Sequence, residues 1–347
     1  MRGLTIGRAL GAAALIVLAL SVLPAAAADG VLLRGGGSSF AAPLFKGWIA
    51  AFAKERPDVA IEYDSIGSGE GMARFVTGSL DFAGTDAPLP ADRAAMAEGR
   101  TLQLPLAAGL IAICYNLPGF TGTLRLPRDV YAGIFDGAIR NWNDPRIAAA
   151  NPGAVLPDRT IAVVVRRDGS GTTFAVTNHL NAIDASWRER ELGAAIRVDW
   201  PSGAMSARGN EGVAATILHS EYSIGYVEYG FAHRLGLPMA ELQNRDGMFV
   251  APAVAAGQAA FTGTALSDQD LVQFVSDPSG AASYPVVTLT WALLKDSTRD
   301  PRKTDALKAF LGWGLDAGQS VAGDLQYVTL PPALASAARA ALTRSSS

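Results

Sequence analysis

The sequence predicts an α/β protein of two domains built on largely parallel sheets with flanking helices. Apolar, β-branched runs alternate along the chain with segments whose apolar residues repeat at helical spacing. Glycine- and serine-rich turns stand at 35–39, 66–71 and 168–173, each between a strand-like run and a helix-like one. Beyond the first 28 residues about 319 of the 347 remain. At about 100 to 200 residues per domain that is two domains, each able to bury a core.

The first residues read as a leader. Arg2 and Arg8, the apolar run Ala9 to Leu23, the breaker Pro24 and the alanines up to Ala28 match a cleavable secretory signal over 1–28. No later stretch has the ~20 apolar residues of a spanning helix. No cysteine follows the small-residue site, so a lipid anchor is not expected, and the product is read as a soluble periplasmic or secreted protein. The single Cys114 lies in the apolar run 110–115 and reads as a small buried hydrophobe. Without Arg2 and Arg8 there are 27 basic against 32 acidic residues, a net charge of about −5. Nucleic acid is therefore not an expected partner. Any anion must be captured by local dipoles and a few placed cations, because the protein as a whole repels it.

In chain order, Val31 to Arg34 is the first strand, and Leu44, Phe45, Trp48, Ile49 and Phe52 mark the helix after it. Between them, Gly35 to Ser39 is either a linker or a turn that offers hydroxyls and N–H groups at a helix start. Val59, Ile61 and Tyr63 alternate as in a strand; after the turn at 65–71, Met72, Phe75 and Val76 give a helix that ends at Gly78. Leu80 to Gly84 is a short strand. Asp86 beyond it is a turn former, a cap for the helix after Pro90, or a ligand-binding acid. The apolar run 102–116 reads as a buried strand that crosses between the domains. Arg128 to Phe135 is helical, and Asn141 to Pro145 reads as a turn closing a surface helix. Ile161 to Val165 is a strand and Phe174 to Ile183 a helix, which places His179 at the surface. Gly209-Asn210-Glu211-Gly212 opens a helix with Val213, Ile217 and Leu218 on one face. Ser223 to Tyr229 and Tyr284 to Leu294 are strands, and Ala306 to Leu315 is an amphipathic helix. No repeat of 20 to 50 residues appears, which excludes solenoids and propellers.

The corner from Arg166 to Phe174 is the strongest chemical signal. Free N–H groups of a helix start, two glycines and the hydroxyls of Ser170 and Thr172 converge there, and Arg166 adds a planar fork of donors suited to a tetrahedral oxyanion. The bland alternative is a capped helix beside a surface arginine. Ligands of such sheets sit outside the carboxyl ends of the strands, where all three turns lie. If the turns, Asp86 and Arg166 share one cleft, the site holds many neutral donors, one cation and one carboxylate. Sulfate, which carries no proton at neutral pH, meets only repulsion from Asp86. A protonated phosphate gives Asp86 its own O–H, a charge-assisted bond worth about 1.5–3 kcal/mol. The acid then discriminates, although arsenate carries the same proton.

Catalysis is not expected. Asp168 stands where a nucleophile elbow at Ser170 needs its first glycine, and the histidines are His179, His219 and His233 alone. Neither H-E-x-x-H nor G-x-x-x-x-G-K-[ST] occurs, so no metal, nucleotide or other cofactor is predicted.

Gly-Gly-Gly-Ser-Ser-Phe-Ala-Ala-Pro at 35–43, Ile-Gly-Ser-Gly at 66–69, Thr-Asp-Ala-Pro at 85–88 and Arg-Arg-Asp-Gly-Ser-Gly-Thr-Thr-Phe at 166–174 resemble the phosphate-binding proteins of phosphate-specific ABC importers. So do 209–212, 224–229 and Asp324-Leu325-Gln326-Tyr327, and the likeness runs through the mature chain in the same order. The resemblance implies a type II-like periplasmic-binding-protein fold, with domain I over 29–112 and 285–347, domain II over 113–284, crossing hinge strands and a ligand cleft between. It implies phosphate donors at Ser39, Phe40 (through its N–H), Ser68, Arg166, Ser170, Gly171 and Thr172, a proton acceptor in Asp86, and in Asp168 an acid that pairs with Arg166. It implies a monomer that delivers inorganic phosphate to the membrane permease subunits of an importer driven by a cytoplasmic ATPase. A binder of another oxyanion and a secreted phosphate scavenger share the same build, and a serine hydrolase is the remote alternative. Two positions depart from the pattern. Ser39-Phe40-Ala41 replaces threonine, phenylalanine and proline, and Glu70 stands where the family has glycine. Glu70 suits a first helical turn but repels phosphate if it faces inward, so it is expected to face solvent.

Overall fold

In a computed structural model of the protein, residues 30–344 are described apart from 263, 265, 268–269 and 297–299. The expected signal segment lies outside them. The chain begins with β1 (Val31–Gly37), α1 (Ala42–Glu55), β2 (Val59–Ser65), α2 (Ser68–Val76), β3 (Phe82–Thr85), α3 (Ala91–Met96) and the long β4 (Thr101–Asn116). Then come β5 (Arg125–Leu126), α4 (Arg128–Phe135), α5 (Pro145–Ala150), β6 (Ala162–Arg166), α6 (Gly171–Ile183), α7 (Ala185–Glu189), β7 (Met205–Ala207), α8 (Gly209–His219), β8 (Ser223–Glu228) and α9 (Tyr229–Arg234). It continues through β9 (Glu241–Gln243), β10 (Phe249–Val250), α10 (Val254–Thr262), β11 (Val287–Lys295), α11 (Pro301–Leu315), α12 (Gly318–Asp324) and α13 (Pro332–Arg344).

Eight strands form one sheet in the order β2-β1-β3-β11-β4-β8-β6-β7, and β10-β9-β5 form a second, small one. Pairing is parallel at both ends of the large sheet and antiparallel through its middle. Parallel neighbours need crossovers, and α1 and α2 supply them on one side, α6, α7 and α8 on the other. The pivot is β4. From Thr101 to Leu110 it pairs with β11, and from Ile111 to Asn116 it pairs with β8. Residues 103–115 are all buried, as the unbroken apolar run predicts for a strand covered on both faces.

The core follows the helical spacing read in sequence. Leu44, Phe45, Trp48 and Phe52 are the buried face of α1. Phe45 stacks on Tyr63 of β2 at 4.4 Å, and Phe310 of α11 meets Phe52 edge-on at 5.4 Å. Fully burying each such side chain is worth about 1.5–3 kcal/mol. Beyond β4, Tyr131, Phe135, Trp142 and Trp187 are buried in the same way. Cys114 is buried too, as expected. Among the described residues no helix is long and apolar enough to cross a membrane.

The structure revises several readings. Gly35 to Gly37 belong to β1 and are buried. A Cβ on Gly35 would lie 2.1 Å from Cζ of Phe82, and one on Gly37 2.3 Å from the Gly84 carbonyl oxygen, so the glycine run makes room for close neighbours and is neither linker nor turn; the turn is 38–41. The segment 141–145 opens a helix instead of closing one, because the Asp144 carboxylate accepts from Arg146 N–H at 2.9 Å and caps α5. Helix α6 starts three residues before Phe174, at Gly171, with Ser170 as its cap. His179 is buried, not at the surface. Its Nδ1 lies 2.6 Å from the Ser276 carbonyl and must donate to it, which leaves Nε2 to accept from the Tyr131 hydroxyl at 2.8 Å. Burial lowers its pKa to about 4, so the ring is neutral.

Candidate functional site

The carboxyl ends of β1, β2, β3 and β6 all open on one place, and each hands over to a turn. After β1 come Ser38 and Ser39, after β2 Ser68, after β3 Asp86, and at the end of β6 Arg166, followed by the start of α6. Ser38, Ser39, Ser68, Asp86, Ser170, Thr172 and Asn210 are each at most 1 % exposed, and the Arg166 side chain is equally hidden. Such a density of buried polar groups demands hydrogen-bond partners, and these tie the β1–β3 side to the β6–β8 side.

Asp86 is the centre. Ser38 Oγ donates to its Oδ2 at 2.6 Å and Thr290 Oγ1 of β11 to its Oδ1 at 2.7 Å. Burial raises its pKa to about 6, against the opposing pull of the Ser38 and Thr290 hydrogen bonds and the Arg166 charge. Each carboxylate oxygen has two lone pairs, so each can still accept one further proton donor. Across from it, a Cβ on Gly171 would lie 2.6 Å from Asp86 Oδ2 and 2.7 Å from the Asp86 backbone nitrogen. Only glycine lets the start of α6 come this close to the end of β3.

Arg166 is no surface arginine. Its Nε and Nη2 fork onto the Asp168 carboxylate at 2.8 and 2.5 Å, and Nη1 reaches toward Thr172 Oγ1 at 3.5 Å. Burial works against ionised Asp168, but Arg166 and the Gly209 N–H hold its carboxyl below the usual range. The guanidinium is thus fixed by one edge, and Nη1 is left on the side of Thr172.

The hydroxyls are fixed in direction as well. Ser39 Oγ accepts from both the N–H and the side-chain amide of Asn210, each at 3.1 Å. Thr172 Oγ1 accepts from the same amide at 3.2 Å and lies within the 3.5 Å reach of Arg166. Ser68 Oγ accepts from Gly171 N–H at 3.2 Å and, at the long limit of 3.5 Å, from Asp86 N–H. A hydroxyl accepts at two lone pairs and donates once, so all three retain only an O–H to offer. The N–H groups of Ser39 and Phe40, both in buried residues outside any helix, have no protein partner among the described residues. They are the donors that a bound anion can take.

Other sequence-predicted residues are partly spent on the protein itself. Ser170 N–H goes to the Ile196 carbonyl at 2.8 Å and its Oγ caps Thr173 N–H at 3.0 Å. Gly171 N–H goes to Ser68. The Phe40 carbonyl accepts from the Tyr327 hydroxyl. Glu70 pairs with Arg74 at 2.7 Å with its side chain 47 % exposed, so it faces solvent as expected.

Three participants escaped sequence reasoning. Asn210 lies in the motif 209–212, which carries no ligand signal in sequence; its Oδ1 accepts from Glu228 N–H at 2.9 Å, and this bond orients the amide. Ser38 was seen only as one hydroxyl of a glycine-serine turn. Thr290 sits in an apolar strand and carries no local signal at all.

The PBP superfamily domain profile matches residues 24–317. The phosphate-binding protein PstS of Pasteurella multocida is 38 % identical over 301 residues, covering 86 % of each chain. That of Haemophilus influenzae is 35 % identical over 317 residues, covering 91 % of this chain and 93 % of that one. In structure, a high-affinity periplasmic phosphate-binding protein (PfluDING) solved with phosphate superposes with a TM-score of 0.73 at 22 % identity, covering 89 % of this chain and 93 % of its own. The phosphate-binding protein from Stenotrophomonas maltophilia superposes with a TM-score of 0.71 at 20 % identity and the same coverage. The chain belongs to the PstS family of the PBP superfamily.

Proposed function

We propose that this protein binds inorganic phosphate and hands it to the permease of an ABC importer, without chemistry of its own. The observation that carries the reading is Asp86: one buried carboxylate with acceptor capacity to spare, set among groups that can only donate. A fully ionised oxyanion satisfies the donors and is repelled by the acid. Monohydrogen and dihydrogen phosphate satisfy both. Ser39, Phe40, Ser68, Asp86, Arg166, Ser170, Gly171 and Thr172 are the proposed ligand residues, with Asp168 holding Arg166 in place before the anion arrives and so lowering the ordering cost of binding.

The proposed mechanism is cleft closure. Residues 29–112 with 285–347 form one lobe and 113–284 the other, and β4 changes partners near their boundary. Phosphate bridging the two sets of turns stabilises the closed form, which is what a permease would recognise. The protein acts as a monomer in the periplasm, released from a leader over 1–28. His179, the histidine that follows Ser170 in the same helix, does not offer a free ring nitrogen as a base, since both are engaged by Tyr131 and Ser276.

Calorimetric titration of refolded, dialysed protein with phosphate and sulfate at neutral pH tests the reading. Tight phosphate binding without a sulfate response is expected; silence toward phosphate would overturn it.

A further inference from the structure

Outside the sealed cluster lies a surface depression of about 600 Å³ whose rim includes Arg93, Arg167, Arg197 and Arg208. All four arginines are exposed. Arg93 follows β3 on one side of the cleft; the other three come from segments beside β6 and β7 on the opposite side. The depression also contains Glu70 and Asp168, but these acids are already paired, with Arg74 and Arg166. Among the described residues Arg93, Arg167 and Arg197 have no ion-pair partner, and Arg208 reaches only the Ile66 carbonyl at 3.5 Å. The depression therefore concentrates four uncompensated cations on a protein whose formal net charge is −3.

Its floor is also the roof of the anion pocket. Gly69 and Gly169 both line it, and Gly69 N–H donates to the Gly169 carbonyl at 2.9 Å. A Cβ on either glycine would lie 3.1 Å from the Cα of the other, so the backbones touch. Ser68 and Ser170 are the next residues inward. One layer of backbone separates the arginine rim from the buried donors, and parting that contact is the direct way in.

We propose that this rim is an outer capture site for inorganic phosphate, which gathers the anion at the mouth of the cleft before the Gly69–Gly169 contact closes behind it. The proposal rests on the phosphate reading above. The rim holds the anion loosely: its side chains are solvated and long, and exposed ion pairs are worth little at equilibrium. Its effect is on the encounter. Clefts lined by one sign of charge raise association rates by about 10- to 1000-fold, and salt abolishes the gain. Once the cleft is shut the anion lies behind the backbone layer, so the rim contributes little to its release.

The sign of the salt effect separates this from the bland alternative. An acidic protein without a local cationic mouth repels phosphate, so kon should rise as salt screens the repulsion. A steering rim makes kon fall instead. Stopped-flow tryptophan fluorescence of the whole mature protein with inorganic phosphate, from about 10 mM to about 150 mM sodium chloride, spans a Debye length of about 30 to 8 Å. For the wild type kon is expected to fall over this range. At low salt the triple variant Arg93→Gln, Arg167→Gln, Arg197→Gln is expected to lose about tenfold in kon with koff unchanged within twofold. A wild-type kon that rises with salt, or a variant whose loss is all in koff, overturns the capture site while leaving phosphate binding intact. Absence of phosphate binding by the wild type at equilibrium removes the parent reading and this one together.

Discussion

Asp86→Asn isolates the acceptor from the shape of the site. The two side chains have nearly the same volume, and the position is buried, so packing is preserved. Ser38 and Thr290 both donate to Asp86, at 2.6 and 2.7 Å; with asparagine one hydroxyl still donates to Oδ1 and the other rotates to accept from Nδ2. What is lost is the charge behind the acceptor and one of its two spare positions for the ligand. A hydrogen bond to a charged group is worth about 1.5–3 kcal/mol, and 1.4 kcal/mol is tenfold in affinity, so phosphate should bind about 10- to 150-fold more weakly. Sulfate behaves oppositely. The buried charge that repels it is gone and the new N–H can donate to it, so the phosphate-to-sulfate ratio should fall by more than phosphate affinity alone. Competition calorimetry with both anions at neutral pH gives the ratio directly. A variant that weakens both anions equally, with its unfolding temperature unchanged, would show that Asp86 does not read the ligand's proton.

Gly171→Ala places a methyl 2.6 Å from the Asp86 carboxylate and 2.7 Å from its backbone nitrogen; overpacking of about 1–3 kcal/mol should weaken phosphate about 5- to 150-fold by calorimetry, and equal affinity would mean that the two turns do not close on each other in solution. Asn210→Asp keeps the oxygen that accepts from Glu228 N–H but replaces the amide donors on Ser39 and Thr172 by an acceptor. Both hydroxyls then turn inward to donate to it, and phosphate affinity should drop at least about tenfold; retention of affinity would remove the positioning role of Asn210. His179 has a native pKa of about 4 against 6.5, so the unfolded chain binds the extra proton as pH falls from 6.5 and stability is lost until pH reaches about 4. The neutral-ring contribution, about 3 kcal/mol from this shift, is fully present above pH 6.5. Urea midpoints of wild type and His179→Gln at pH 7 and 4.5 should converge toward acid; parallel curves would rule the contribution out.

Local rules in the sequence reached the strands, the crossover helices and most of the residues that the structure gathers at the candidate site. The alternation at Val59, Ile61 and Tyr63 and the unbroken run through β4 each have one structural solution. The turns after β1, β2 and β6 announce themselves because glycine, serine and threonine have few other reasons to cluster between a strand and a helix. Reading failed where the deciding contact comes from far along the chain. Nothing near His179 says that Tyr131 and Ser276 will enclose it, and nothing near Thr290 says that its hydroxyl faces a carboxylate 204 residues away. Gly35 to Gly37 misled for the same reason, because what needs their missing side chains lies on neighbouring segments: the Phe82 ring at Gly35, Asp64 and Ile66 at Gly36, and the Gly84 backbone at Gly37. Asp144 is a plainer lesson: an Asp-Pro pair serves as cap and first residue of a helix, and the turn reading attached it to the wrong side.

Selectivity in this site follows from counting lone pairs. An anion pocket made of serines and threonines is ambiguous in principle, since every hydroxyl can turn to accept, and a ligand that carries protons could be held as readily as one that carries none. Here the closed arrangement removes the ambiguity: Asn210 occupies the acceptor positions of Ser39, Gly171 and Asp86 supply donors to Ser68, and Asn210 and Arg166 do so for Thr172. The hydroxyls become donors in the same sense as the free N–H groups of Ser39 and Phe40. A ligand proton then has one place to go, the spare capacity of Asp86. Several of these bonds join the two sides of the cleft, Asn210 to Ser39 and Gly171 to Ser68 among them, so the hydroxyls lose their ambiguity only on closure. In the proposed closure, the open form would meet anions with hydroxyls free to turn either way, and the closed form would accept only one that brings a proton. On this proposal discrimination and closure are one event, and a variant that loosens the cross-cleft bonds should lose both together.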